Sequence, residues 1–97
     1  SVKEQDSGLR SVSLRVPETE FAGKVLPLDI TLEGSGRGQW TIYKLYVDGY
    51  LRASGTREED LAWTVNSNGV FNVEVEVDDG WGSVRSDVQT IRFILSR

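Results

Sequence analysis

The strongest constraint on this chain is one uninterrupted alternation. Phe71, Val73, Val75 and Val77 are interleaved with Asn72, Glu74 and Glu76. Successive side chains of an extended strand point to opposite faces, so this run has one oily and one wet face. It fits a central antiparallel strand with one solvated face. It does not fit a helix, whose side chains repeat about every 3.6 residues.

The same period of two recurs along the chain. Val12, Leu14 and Val16 alternate with Ser11, Ser13 and Arg15 until Pro17, which lacks a backbone donor and predicts a strand end. Leu26, Leu28, Ile30 and Leu32 form a second run, in which Pro27 predicts an edge or a bulge near the start. Trp40 to Val47 is a third, with Tyr43, Leu45 and Val47 on one face. Asp48-Gly49 then predicts a two-residue hairpin, because a type I′ turn needs positive φ at both positions, and Tyr50 to Ser54 is the short return strand. After a charged loop from Gly55 to Asp60, Leu61, Trp63 and Val65 alternate again and stop at Ser67-Asn68-Gly69. The last strand runs from Val84 to Leu95, with Ile91, Phe93 and Leu95 in phase and Val88 out of phase, which predicts a bulge between Asp87 and Thr90. Seven strands separated by turn residues, with no sustained helical period, predict an all-β antiparallel sandwich. Its core is expected to interdigitate Leu28, Ile30, Leu32, Leu45, Trp63, Phe71, Val73, Val75, Ile91 and Phe93.

At 97 residues the chain is one domain of ordinary size. Ser1 to Gly8, polar apart from Val2, is expected to be a linker or frayed segment, and residues 9–97 the sandwich. The absence of methionine, even at position 1, fits a piece of a larger or processed protein. Hydrophobic residues at 38% and charged residues at 27% suit a folded chain. No apolar run approaches the length of a membrane span, so membrane insertion is not expected.

The composition also removes whole classes of chemistry. Without cysteine or histidine there is no disulfide framework, no thiolate nucleophile, and no triad built on a histidine base. A formal charge of −4 argues against nucleic acid and anionic membranes, whose binding leans on clustered Lys and Arg. Glu58, Glu59 and Asp60 share one loop, whereas a glycosidase needs two carboxyl groups astride a cleft. The loop from Gly34 to Gly38 opens no helix and lacks phosphate-loop spacing, so it is expected to connect strands. The chain is not expected to be an enzyme.

Two phrases give the sequence a relative. One is Tyr46-Val47-Asp48-Gly49 at the end of an aliphatic strand; the other is the run from Gly69 through Phe71, Val73, Val75 and Val77 to Asp78-Asp79-Gly80. Together they resemble a bacterial immunoglobulin-like domain, a class itself similar to fibronectin type III and polycystic-kidney-disease repeats. The likeness covers about residues 9 to 95. Two departures stand out: Phe71 lies where many relatives carry tyrosine, and Trp63 precedes the valine strand instead of packing on a cystine. The resemblance implies a seven-stranded immunoglobulin-like β-sandwich used in tandem within secreted or surface-displayed multidomain proteins. It also implies an extracellular, cell-surface or periplasmic location.

Candidate binding residues follow from the aromatics and acids. Trp81, between Gly80 and Gly82 in the loop before the last strand, either stacks on a sugar or neighbouring domain or folds back as a lid. Trp40 and Tyr50 are candidates to extend an aromatic platform, and Tyr46 to lie on the outer sheet face. Asp78 and Asp79 are the best calcium candidates, but they lack the spaced carboxylates of a dedicated loop, so no cofactor is expected and a turn role is favoured. Glu74 and Glu76 are expected to meet Lys or Arg on the solvated face. The leading expectation is a non-catalytic spacer or protein-interaction module whose partners are neighbouring domains or another protein. The alternative is a carbohydrate-binding module that takes polysaccharide through its exposed rings.

Overall fold

A computed structural model describes residues 8–34 and 41–95. Its strands are β1 (Leu9–Arg15), β2 (Thr19–Phe21), β3 (Asp29–Gly34), β4 (Ile42–Val47), β5 (Tyr50–Gly55), β6 (Gly69–Asp78), β7 (Ser83–Arg85) and β8 (Gln89–Ile94). A single-turn 3₁₀ helix spans Glu58–Leu61. β1 and β3 pair antiparallel as a two-stranded layer. The other layer is six-stranded in the order β2-β8-β6-β4-β5, with β7 also paired to β6. The fold is an all-β sandwich.

The valine run is the axis of the larger sheet. β6 lies between β4 on one side and β8 and β7 on the other. Val73, Val75 and Val77 point inward and are 0% exposed, as are Leu45, Ile91 and Phe93. Full burial of each such side chain contributes about 1.5–3 kcal/mol. Trp63, Phe71 and Phe93 meet edge to face, with centroids 5.6 to 6.1 Å apart, a geometry that opposes ring edges to ring faces.

The β4–β5 hairpin forms as expected. Asp48 has φ +52° and Gly49 φ +85°, the left-handed region that its two-residue turn demands. Asp48 also fastens the turn to β6. Its N–H donates to the Asn72 carbonyl at 2.7 Å, and its carboxylate accepts the Asn72 N–H at 3.0 Å. Across the hairpin, Leu45 faces Ala53 while Tyr46 faces Leu51, so Arg52 is an extra, bulged residue on the outer strand.

Three details depart from the sequence reading. The expected last strand is interrupted: two residues of β6, Glu74 and Val75, face three residues, Ser86, Asp87 and Val88. This one-residue excess is the anticipated bulge, and it splits the strand into β7 and β8. Ser86 repairs it, accepting the Val75 N–H on its hydroxyl at 3.0 Å and donating its own N–H to the Val75 carbonyl at 2.9 Å. A second difference is β2, which no alternation announced. After Pro17 the chain changes layers and pairs in parallel with β8, covering an edge that would otherwise be open.

The third is a correction. Leu61–Val65 is not a strand of a sheet: Leu61 ends the 3₁₀ helix, and only Thr64 makes a bridge, to Val25. The alternation still reports burial, because Leu61 and Val65 are buried and Trp63 packs on the core. Two backbone bonds, Leu26 N–H to the Trp63 carbonyl and Gly23 N–H to the Val65 carbonyl, hold the segment beside the approach to β3. It stops short of β3 itself.

Candidate functional site

The best-organised polar group on the surface lies on the outer face of the larger sheet. Period-two geometry turns Tyr46 of β4, Glu74 and Glu76 of β6 and Arg85 of β7 to this side. Directly opposite pairs are Tyr46 with Glu74 and Glu76 with Arg85, but the strong contacts run on the diagonals. Arg85 reaches Glu74 at 2.6 Å and stacks its guanidinium 4.3 Å from the Tyr46 ring centroid. The Tyr46 hydroxyl donates to Glu76 at 3.0 Å. Burial pushes the Tyr46 phenol above its ordinary range, and the Glu76 carboxylate acts in the same direction. Arg85 opposes the shift. Tyr46 thus faces outward, and Glu74 has the arginine partner that the sequence led one to expect. Chemically the cluster is a latticework of charge-assisted contacts that stiffens a sheet face.

Trp81 sits in the turn between β6 and β7 and is 47% exposed. Its position is set by Asp79, a buried carboxylate that accepts the N–H groups of Trp81 at 2.9 Å and Gly82 at 3.0 Å. The backbone of Asp79 closes the turn with the Gly82 carbonyl at 3.1 Å. Asp78 accepts the Gly80 N–H at 2.7 Å. The two residues considered for calcium therefore aim carboxylate oxygens at backbone donors of their own turn. Among the described residues, no group of three or more Asp, Glu, His or Cys side chains is arranged to hold a metal ion.

Tyr50 follows the β4–β5 hairpin and is 67% exposed, with the Arg52 guanidinium 5.7 Å from its ring centroid. The structure does not bring it to Trp81. Ile42 pairs with Asp78, next to the Trp81 turn, whereas Val47 pairs with Tyr50. Five strand steps, about 17 Å, separate these two ends of β4. Trp40 lies outside the described residues, as do Ser35 to Gly38 of the glycine-rich loop and Ser1 to Ser7 of the expected linker.

Two of the three loop acids, Glu59 and Asp60, are occupied locally. Asp60 accepts the Arg57 N–H at 3.1 Å, and the Arg57 guanidinium reaches Glu59 at 3.4 Å and Asp60 at 3.6 Å. Glu58 and Glu59 rim a shallow apolar groove of about 420 Å³ floored by Leu26, Leu28 and Leu61. Both carboxylates stand on one side of it, on one helical turn, so they do not straddle a substrate as acid and base must. Sequence reasoning missed this groove, and it also missed Ser86 and the stacking of Arg85 on Tyr46. Each depends on which strands become neighbours.

The sequence matches no protein-family model and no curated protein. Its fold has a solved counterpart, the solution structure of a CARDB domain from Pyrococcus furiosus. The two superpose with a TM-score of 0.64 over 94% of this chain and 98% of that one, at 15% sequence identity. The chain is thus an immunoglobulin-like β-sandwich domain.

Proposed function

We propose that this domain is a non-catalytic spacer or protein-interaction module that positions or joins neighbours within a larger secreted or surface-displayed protein, in the manner of fibronectin type III or polycystic-kidney-disease repeats. The location that goes with this role is extracellular, cell-surface or periplasmic, and the role needs no cofactor. The observation that carries the reading is the path of the chain. β1 packs against β6 and β7 at the Asp78 end of β6. β8 runs to the opposite end, where Gly69 faces Phe93 and the Leu95 N–H is held by the Asn68 side chain at 2.7 Å. A chain that enters near one pole and leaves at the other extends a string of domains without doubling back. Trp81 stands at the entry pole, where it would pack against a preceding neighbour.

A carbohydrate-binding role is the second reading, and the exposure of Trp81 favours it. Tyr50 is too far away to share a sugar with that ring, which leaves a smaller platform. Titrating the domain with a panel of soluble polysaccharides while following tryptophan fluorescence separates the two readings. No saturable change is expected. A saturable shift that disappears in Trp81→Ala would overturn the spacer reading in favour of sugar binding.

A further inference from the structure

The two layers of the sandwich do not close equally, and the gap lies along β3. One edge of β3 is paired with β1; among the described residues no strand lies along the other. Leu61–Val65, the segment placed to fill that position, bridges at Val25 and reaches no further than Leu26. Alternate residues of β3 therefore direct their N–H and C=O groups to a side where no described strand pairs with them, the arrangement that templates an added strand. Ile30 and Leu32 point inward yet remain half-buried, and among the described residues no strand covers their flank.

The β5 edge of the larger sheet is guarded differently. β5 carries the Arg52 bulge, which breaks a regular ladder. β3 pairs with β1 in unbroken register from Asp29 to Glu33, so its free edge is regular over the same span. Just before its start, Leu28 lines the groove beside the 3₁₀ helix. The charged side chains lining that groove are Glu58 and Glu59, and β3 itself exposes Asp29 and Glu33. Arg57 draws on Glu59 from the helix side, while Glu33 also accepts a hydrogen bond from Ser11. These carboxylates oppose pairing of β3 with a second β3, where acid would face acid. They favour a basic strand.

We infer that the free edge of β3 is a strand-addition site for an extended polypeptide segment of a partner protein, with apolar and Lys or Arg side chains in alternation. The main chain would bond to β3, the apolar side chains would cover Ile30 and Leu32, and the basic ones would lie near Asp29, Glu58 and Glu59. This inference rests on the reading of the domain as an interaction module and names one surface for it.

The probe is a capped hexapeptide of alternating lysine and valine, with a glutamate–valine peptide as control, titrated into the isotope-labelled domain and followed by amide NMR. The expected result is saturable shifts confined to residues 25–33 and 58–62, with alternate β3 amides gaining protection from hydrogen exchange. Reversing the rim charges in the exposed pair Glu58→Lys and Glu59→Lys should weaken binding roughly tenfold at low salt while the circular dichroism stays unchanged. Absence of shifts, equal binding of the glutamate peptide, shifts centred on β5, or shifts without new protection in β3 would each overturn the proposal. None of these results touches the spacer reading, which the polysaccharide titration decides.

Discussion

In the larger sheet, Val73, Val75, Val77, Ile91 and Phe93 are sealed from solvent, while in the facing layer Ile30 and Leu32 keep part of their surface wet. The residue types are the same and so is the alternation. What differs is the neighbour count of the strand. β6 is flanked on both sides, whereas among the described residues β3 pairs with β1 alone. β1 escapes the same exposure because it packs over β6 and β7, and its Val12 and Leu14 are buried. A period of two thus decides which face a side chain points to, and sheet topology decides how dry that face becomes.

The largest expected effect tests this contrast directly. Phe93→Ala empties a sealed position and removes two edge-to-face contacts, to Trp63 and Phe71. Its cost is expected to be about 3–5 kcal/mol. Leu32→Ala, on the uncovered flank, should cost only ~1 kcal/mol, since part of the side chain already contacts water and less cavity is left behind. Urea melts of the two variants check the pair. Equal losses would mean that β3 is as well covered as β6.

The next effect probes the weak point within the stronger layer. At the break between β7 and β8, the Val75 N–H has the Ser86 hydroxyl as its acceptor, in a buried site. Ser86→Ala leaves that donor buried without a partner, a loss of about 1–3 kcal/mol. The Val75 amide should exchange faster than those of Val73 and Val77 in this variant. Unchanged stability and unchanged exchange would show that the bulge needs no side-chain repair.

How legible each layer was in the sequence follows the same divide. β6, the Asp48-Gly49 turn and the bulge before β8 were readable because each is encoded locally, by alternation, by turn residues that tolerate positive φ, or by one residue out of phase. β2 was not, since three residues after Pro17 show no periodicity and its partner β8 lies far along the chain. Leu61, Trp63 and Val65 gave the right buried faces and the wrong element, because burial comes from side chains and a strand from backbone partners. The candidate positions divide similarly. The outward face of Tyr46 followed from parity, but the stacking of Arg85 on it required knowing that β7 returns beside β6. Asp79 was readable as a turn residue, though not as the buried carboxylate that accepts two backbone N–H groups.

The smallest expected effect sharpens the comparison from the outside of the stronger sheet. With the phenol of Tyr46 held above its ordinary value of 10.0 by burial and by Glu76, the native state keeps that proton where the unfolded chain has begun to lose it. More protons are then bound in the native state, so stability falls as pH rises past the unfolded value and is lost through the higher native one. Below that window the contribution of the Tyr46–Glu76 bond is fully present, and removing it in Tyr46→Phe should cost under about 1 kcal/mol at this half-exposed site. Paired urea melts of the native sequence and Tyr46→Phe, from neutral pH to beyond the tyrosine range, should show a gap that is constant at first and then closes. A gap that stays constant throughout, or widens, would mean that Glu76 does not hold the phenol, and that Arg85 alone organises the outer face.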